Sequence, residues 1–280
     1  MEYQVIMRLN LTASLAAIVL AGAMPAAAQD VYAPYEPNPA PPVAAAYDYG
    51  DTDFVFELGI GVAAQPDYLG SDNYMASIYG FGSVEYLNIP GLGAFGGRDG
   101  RGFSIGPSFN YVGERDSNDL AGIDGVDATY ELGLRAGYEW DNAEVYGALR
   151  YGLGGAEGLT GDIGANLIAR PTDRLRLKAG PVATFADADY NDAYFSVSPR
   201  EFVNSGGRFA AYDAGGGFNS VGIHGEARYE IFTDYFVNLD ASWNRLVGDA
   251  GDSPIVKVAG DDDQYYIGLG VSKRFSLDLF

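Results

Sequence analysis

Cysteine is missing from this 280-residue chain, and histidine occurs once, at His224. Without cysteine, the protein cannot form disulfides, use a thiolate nucleophile or bind a metal through sulfur. A single histidine also excludes a histidine-rich metal site within one chain. We therefore assign no catalytic, cofactor-binding or metal-binding residue and expect no cofactor.

Basic residues are scarce as well. The chain has 17 lysines and arginines against 38 aspartates and glutamates, which gives a net charge of -21. Binding to nucleic acid requires basic side chains that neutralise phosphates. We therefore expect no nucleic-acid partner, and the acid excess favours solubility and repulsion between surfaces.

Long apolar runs are also lacking. The run from Leu15 to Leu20 follows Arg8 and precedes small residues that end at Ala28. It is shorter than the ~20 residues of a membrane-spanning helix, so a signal peptide over residues 1–28 is favoured over a membrane anchor. Residues 29–52 follow with five prolines. They predict an extended periplasmic linker, either a passive spacer or a docking segment for a partner.

What the chain does contain, from residue 53 onward, is alternation of apolar residues with polar residues or glycine. The alternating runs occupy residues 54–62, 103–111, 130–140, 145–153, 175–185, 221–231, 237–243 and 265–271. Successive side chains on a strand point to opposite faces, so each run predicts a two-faced strand. A soluble sandwich also alternates, but runs of about 10–13 residues suit a tilted membrane crossing better than the ~5–6 residues usual in globular sheets.

Aromatic residues such as Tyr130, Tyr138 and Trp140 stand near the ends of these runs, where an interfacial girdle places them. A closed barrel can cross a membrane because closure satisfies every backbone hydrogen-bonding group. The sequence therefore predicts an all-β fold: a closed antiparallel transmembrane β-barrel over residues 53–280 with about ten strands.

The connections between runs alternate between short and long. Those at 141–142, 171–174 and 233–235 are short, whereas 65–73, 114–128, 187–210 and 248–262 are long, acidic or both. Outer-membrane barrels have short periplasmic turns and longer external loops, so this order predicts that both termini are periplasmic. The glycine-rich stretch 88–100 and the run Tyr194–Val197 could each add a strand, which would give about twelve.

Several stretches, in order, resemble the MipA/OmpV family of outer-membrane proteins. They are PDYLGSDNY (66–74), GLTGDIGA (158–165), FADADYNDAYFSVSP (185–199), YDAGGG (212–217), RLVGDAGDSPIV (245–256) and DQYYIGLGVSKRF (263–275). The resemblance implies an outer-membrane barrel; one branch of the family is a scaffold for a lytic transglycosylase and a murein synthase, and other members are linked to adhesion. Family members typically end at the aromatic residue corresponding to Phe275, so the extension Ser276–Phe280 is a departure that leaves the end of the barrel open.

Charged residues on the parity opposite to the apolar face should point into the barrel. They are Glu131, Arg135, Glu139, Glu144, Arg150, Arg174, Arg176, Lys178, Glu226, Arg228 and Glu230. Charges of both signs in a narrow lumen should pair, so we expect a largely filled interior, with a small-solute channel as the alternative. His224 shares this parity, and a hydrolase that uses His224 with a serine such as Ser220 is the less favoured reading. We expect instead that a neighbour such as Glu226 hydrogen-bonds its ring.

The stretch Gly248–Gln264 holds five aspartates, Asp249, Asp252, Asp261, Asp262 and Asp263. Their spacing does not fit an EF-hand loop, which has glycine at its sixth position and glutamate at its twelfth. We favour a solvated external loop over weak binding of calcium or magnesium.

The most favoured function is a non-enzymatic outer-membrane barrel that serves as an envelope scaffold for murein enzymes, a role that the resemblance alone implies. A small-solute pore or an adhesion barrel is the alternative, and a lipid hydrolase is less favoured. The expected partners are outer-membrane lipids, lipopolysaccharide and, through the resemblance, a periplasmic lytic transglycosylase and a murein synthase. The oligomeric state stays open.

Overall fold

The computed structural model describes residues 52–96 and 101–279, which form one antiparallel sheet of eleven strands and four short helices. The strands are β1 (Phe54–Pro66), β2 (Tyr74–Ile89), β3 (Gly93–Gly96), β4 (Gly102–Val112), β5 (Thr129–Glu139), β6 (Ala143–Gly154), β7 (Gly158–Thr172), β8 (Leu175–Ala186), β9 (Gly217–Phe232), β10 (Tyr235–Leu246) and β11 (Asp263–Leu277). The helices are α1 (Ala188–Phe195), α2 (Pro199–Asn204), α3 (Gly248–Asp252) and α4 (Pro254–Ala259). The predicted signal peptide 1–28, the linker 29–52 up to residue 51, and Phe280 lie outside the described residues.

The sheet curls into a nearly closed barrel because β11, the last strand in the chain, pairs with β1, the first. Strand β1 pairs with β2 on its other side. Its two ends in the hydrogen-bonded order are β3 and β4. Side chains meet there: the rings of Phe95 and Phe103 have centroids 6.4 Å apart, and Val84 lies over Gly106. The predicted all-β antiparallel architecture is therefore confirmed.

The strand count lies between the two predicted numbers. Ten strands have 11–16 residues, and the four-residue β3 comes from the glycine-rich stretch 88–100, one of the two stretches that could add a strand. The second expected addition, Tyr194–Val197, was wrong. Tyr194 and Phe195 end helix α1, and only Val197 makes an isolated β-bridge, to Tyr212.

The short connections 90–92, 140–142, 173–174 and 233–234 lie at one rim of the barrel, together with both ends of the described sheet, whereas the three-residue connection 155–157 lies at the other. Phe54 pairs with Leu277, so the first and last strands meet at this end, which we call the turn rim. The long connections 67–73, 113–128, 187–216 and 247–262 lie at the opposite end, the loop rim. Strand β11 continues past Phe275, because Ser276 pairs with Val55. The first two residues of the C-terminal extension are thus part of the barrel.

The barrel is inside out relative to a soluble sheet. Apolar side chains on its outer surface are exposed, as at Ile78 and Leu167, each 76% accessible, while carboxylates such as Glu57 and Glu131 are buried inside. Aromatic pairs mark both rims: Tyr138 with Trp140 at the turn rim, and Tyr111 with Tyr130 at the loop rim. This is the surface expected of strands that face lipid.

None of the helices in the described part of the chain is long and apolar enough to span a membrane.

Inward-facing glycines on β1 and β11 make room for aromatic rings of β2. A Cβ atom placed on Gly270 would lie 2.7 Å from the Phe81 ring, and one on Gly61 would lie 2.7 Å from the Tyr79 ring. A Cβ on Gly59 would overlap the Phe81 ring. These rings therefore fill the lumen beside the seam where the first and last strands pair.

Replacing Gly59 with valine should destabilise the barrel, because the added side chain must displace the Phe81 ring. Overpacking of this kind costs about 1–3 kcal/mol. We expect a lower temperature for conversion from the fast-migrating folded form to the slow-migrating unfolded form in detergent gels. Gly80→Val is the matched control, since Gly80 is exposed on the paired strand and a Cβ there approaches its nearest atom only to 3.8 Å. Equal loss in both variants would contradict the ring-over-glycine packing.

Candidate functional site

The half of the lumen nearer the turn rim is crossed by buried ion pairs. The Lys178 ammonium donates to Glu139 and to Glu144, each at 2.8 Å. Glu144 also accepts from Arg135 at 2.8 Å and from the Asn166 amide at 3.1 Å. Arg170 donates to the other oxygen of Glu139, so every carboxylate oxygen in this group has a donor and the desolvation cost of the buried charges is offset.

A second group lies across the seam strands. Arg228 bridges Glu57 and Glu85, with 2.9 Å between its guanidinium and the Glu85 carboxylate. Arg274 donates to the same Glu85 carboxylate at 2.8 Å. The Arg228 guanidinium also stacks on the Phe236 ring, with 3.5 Å to the ring centroid. This group ties β1, β2, β9 and β11 together across the lumen.

The expected inward charges do face the lumen and pair, except that Arg174 and Glu230 lie at the turn rim. Sequence reasoning did not assign Glu57, Glu85, Asp162, Asp240 and Arg274 to the network. The parity of Glu57, opposite the exposed Leu58 and Ile60, is the signal that identifies it. Glu85 sits on β2, whose inward rings obscure the alternation.

The loop-rim end of the lumen is covered by α1. Asp187 caps the start of this helix, because its carboxylate accepts a hydrogen bond from the Tyr190 backbone N–H. Two buried tyrosines one helical turn apart reach the barrel wall. The Tyr190 hydroxyl donates to Glu131 at 2.6 Å, and the Tyr194 hydroxyl bonds Thr129 at 2.6 Å. Burial raises the pKa of Tyr190 and raises the pKa of Tyr194 to about 12, so both phenols stay protonated.

The end of α1 is held from two other loops. Arg115, in the β4–β5 loop, donates to the Tyr194 carbonyl at 2.8 Å, and Ser253 donates to the Phe195 carbonyl at 2.6 Å. Burial lowers the pKa of Arg115, whose guanidinium is held on backbone carbonyls. On the barrel side, Asn191 and Asn219 exchange two amide hydrogen bonds of 3.0 and 2.7 Å. Helix α1 is thus a cap held to the barrel by contacts from three sides.

The acidic stretch 248–262 is not the wholly solvated loop that its composition predicts. It folds into α3 and α4, whose Ala250 and Ile255 are completely buried. Val256 joins the apolar cluster of α1, and Ile255 joins a second cluster that contains Phe209. The apolar residues between the aspartates therefore build a core that supports the cap.

The aspartates of this stretch remain at the surface. Carboxylate oxygens of Asp261, Asp262 and Asp263 lie within 4.8 Å of one another. Arg245 pairs with Asp262 at 2.9 Å and with Asp263 at 3.1 Å, and Lys257 lies 3.6 Å from Asp262. Lysine and arginine thus already neutralise part of the charge of this group, and weak binding of calcium or magnesium stays the less favoured alternative.

Between the cap and the ion pairs lies a cavity of about 500 Å³, which we call the chamber. Its lining includes Tyr190 and Phe195 of the cap and a set of wall residues that carry hydroxyl, amide or charged groups: Glu131, Arg135, Tyr146, Arg150, Thr160, Asp162, Thr184, Ser220, His224, Ser242, Asn244, Gln264 and Tyr266. Ion pairs therefore occupy the turn-rim end of the lumen and α1 covers its loop-rim end, with the chamber between them.

His224 lines this chamber, but its nearest acidic partner is not the one expected. Its Nε2 atom lies 3.7 Å from the Asp240 carboxylate, on the neighbouring strand β10. Glu226 instead pairs with Arg176 at 3.5 Å. The Ser220 hydroxyl is 2.7 Å from the Thr184 hydroxyl. The hydrogen-bonding partner of the Ser220 hydroxyl is therefore Thr184.

Comparison with protein families matches residues 58–275 to the model described as MltA-interacting protein MipA. A comparison with curated proteins found no significant match. Similar solved structures include OprG of Pseudomonas aeruginosa, with 12% identity, a TM-score of 0.31, and coverage of 81% of this chain and 99% of that chain. The NanC porin has 9% identity and a TM-score of 0.34, with 79% of this chain and 98% of that chain covered.

Replacing Lys178 with methionine should destabilise the barrel by about 3–5 kcal/mol, because it removes a buried cation that serves two buried carboxylates. The measurement is the urea midpoint of unfolding in detergent, read from gel migration. Lys257→Met is the control, since that side chain is half exposed at the loop rim. A Lys178→Met barrel as stable as wild type would contradict the assigned role of the ion pairs.

Proposed function

Since the chain belongs to the family of the MltA-interacting protein MipA, an outer-membrane β-barrel family, we propose that it is an envelope scaffold. In this role the barrel anchors a lytic transglycosylase, and with it a murein synthase, at the inner surface of the outer membrane. The family description supports the first partner because it refers to interaction with MltA. Lipids and lipopolysaccharide surround the apolar outer band.

The observation that carries the proposal is the occupied lumen. Across the described residues, ion pairs cross the turn-rim half and α1 covers the loop-rim end, so transport is not the evident use of the barrel. A barrel of this kind acts through the surfaces that it presents. Strands in lipid are held in place by the hydrogen bonds to their neighbours, so a partner bound to either rim is held at the membrane.

The turn rim is the proposed docking surface. Short turns are periplasmic in outer-membrane barrels, and the chain enters and leaves the sheet at this rim. The turn rim carries exposed charges of both signs, such as Asp141, which pairs with Arg101 at 3.0 Å. Charges at the edge of an interface chiefly set the rate and specificity of association.

The proposed role is non-enzymatic. Nucleophilic catalysis by serine requires the hydroxyl within hydrogen-bond reach of a base. The Ser220 hydroxyl bonds Thr184, and the neighbour of the His224 imidazole is Asp240. This arrangement supports a polar wall in preference to an activated nucleophile.

Affinity capture from cross-linked envelopes tests the proposal. We expect wild-type protein to recover a lytic transglycosylase and a murein synthase. Asp141→Lys should lower recovery several-fold because it reverses an exposed charge at the turn rim, where 79% of the side chain is accessible. The matched control is Asp124→Lys, which reverses a loop-rim aspartate paired with Arg200. Absence of murein enzymes from the wild-type capture would refute the scaffold role, and equal effects of the two reversals would refute docking at the turn rim.

A small-solute pore is the second candidate, and the chamber is the observation that favours it. In planar bilayers we expect no stable conductance steps from the wild type, because the cap and the ion pairs occupy both ends of the lumen. An open porin in the same bilayers provides the positive control. Large, reproducible single-channel steps would favour the pore. Arg150→Ala and Arg228→Ala should then change its ion selectivity, because lumen charges set it.

A further inference from the structure

We propose that the chamber is a binding site for a small, neutral, polyhydroxylated solute of the sugar class, and that α1 is its lid. The site is separate from the turn rim, so it stands independently of the scaffold role. The argument rests on the charge balance of the chamber, its hydrogen-bonding groups, its size and the attachment of the lid.

Charges that line the chamber are already paired with one another. Arg150 donates to Glu131 at 2.8 Å and contacts Asp162 at 2.7 Å. Arg135 pairs with Glu144 at 2.8 Å. A charged solute would have to break one of these pairs, whose members include the buried Glu131 and the largely buried Arg150, and a buried charge left unpaired is costly. A neutral solute can enter without disturbing them.

Hydroxyl groups of Thr160, Thr184, Ser220 and Ser242 also line the chamber. A hydroxyl group can both donate and accept hydrogen bonds, as the hydroxyls of a sugar do. The Thr160 O–H already donates to the Phe185 carbonyl and Thr184 and Ser220 share one bond, so these oxygens serve a solute mainly as acceptors. The Oδ1 atom of Asn244 is a buried acceptor without a hydrogen-bonding partner among the described residues. A donor from a solute in the chamber would satisfy it.

The size and shape of the chamber also fit. Its volume of about 500 Å³ lies within the range of about 300–1,000 Å³ typical of small-molecule sites. The rings of Tyr146, Tyr190 and Tyr266 line it. Such rings offer flat apolar faces beside a polar hydroxyl, which matches the apolar C–H faces and polar edges of a sugar ring.

The lid and the chamber share one carboxylate. Glu131 accepts from the Tyr190 hydroxyl of α1 through one oxygen and from Arg150 through the other. A solute that contacts Arg150 therefore acts on the group that holds the lid. The second wall contact, Tyr194 with Thr129, is a hydrogen bond between neutral groups. These tyrosine contacts can open without exposing a new unpaired charge, because Arg150 continues to neutralise Glu131, and the Asn191–Asn219 amide pair that must open with them is neutral. The bonds of Arg115 and Ser253 to carbonyls at the C-terminal end of α1 are the attachment of the lid.

Binding of 13C-labelled D-glucose, followed by NMR, tests the site in a zwitterionic detergent without a sugar headgroup. We expect saturable binding to the wild type, and at least tenfold weaker binding of D-glucuronate and D-glucosamine, which have the same ring with a charge. Ser242→Leu and Ala148→Leu, which fill the chamber, should each weaken glucose binding at least tenfold. Ala241→Leu places the same side chain on the outer face of β10 and should leave binding unchanged.

Each variant is first checked for the fast-migrating folded form, and two filling variants are used so that failure of one to fold leaves the other. No saturable glucose binding by the folded wild type would overturn the site. So would undiminished binding by a folded filling variant, or binding of either charged sugar as tight as that of glucose. For the lid, Tyr190→Phe combined with Tyr194→Phe should speed glucose exchange about tenfold, with Tyr212→Phe as a control in the same loop. An unchanged exchange rate would show that α1 is not the lid.

Discussion

Pairing of β1 with β11 is the constraint on which the rest of this structure depends. It converts a sheet with apolar residues on one face into a barrel. Each strand of this barrel is hydrogen-bonded to its neighbours except between β3 and β4, where side chains meet instead. Only then can the apolar face meet lipid, because lipid offers the backbone no replacement for water. The polar face is turned inward by the same step, so the barrel must supply its own partners for each buried charge.

Ten long strands enclose a lumen that is too wide for the wall side chains alone to fill evenly. Three different groups of side chains and loops fill the lumen at three positions. Ion pairs cross the turn-rim half, aromatic rings of β2 lie over glycines beside the seam, and α1 with its supporting loops covers the loop rim. The chamber is the space left between these three solutions. The polar groups that line it are therefore a consequence of the barrel's inverted polarity, and its loop-rim end is covered by a helix contributed by a loop.

The parts of this fold that follow from local alternation could be predicted from the sequence, and the parts that follow from contacts across the barrel could not. Strands β5 and β9 have outward apolar residues and inward charges, so both their existence and their orientation are readable. Strand β2 is harder to identify, because Tyr79 and Phe81 make its inner face apolar. Helices α1, α3 and α4 span at most eight residues, too few for a clear helical period. The pairing of His224 with Asp240 depends on the register between β9 and β10, which the sequence of either strand alone does not specify.

The ring-over-glycine packing beside the seam has a consequence for how the barrel reaches one register. Phe81 belongs to β2, yet it rests on Gly59 of β1 and also on Gly270 of β11. If β11 shifted by one residue, Leu269 or Val271 would replace Gly270 beneath that ring, and the inner and outer faces of the last strand would exchange. The aromatic ring therefore distinguishes the correct closure from its nearest errors by steric exclusion. The inward-facing glycines therefore permit only one register of β11 against β1.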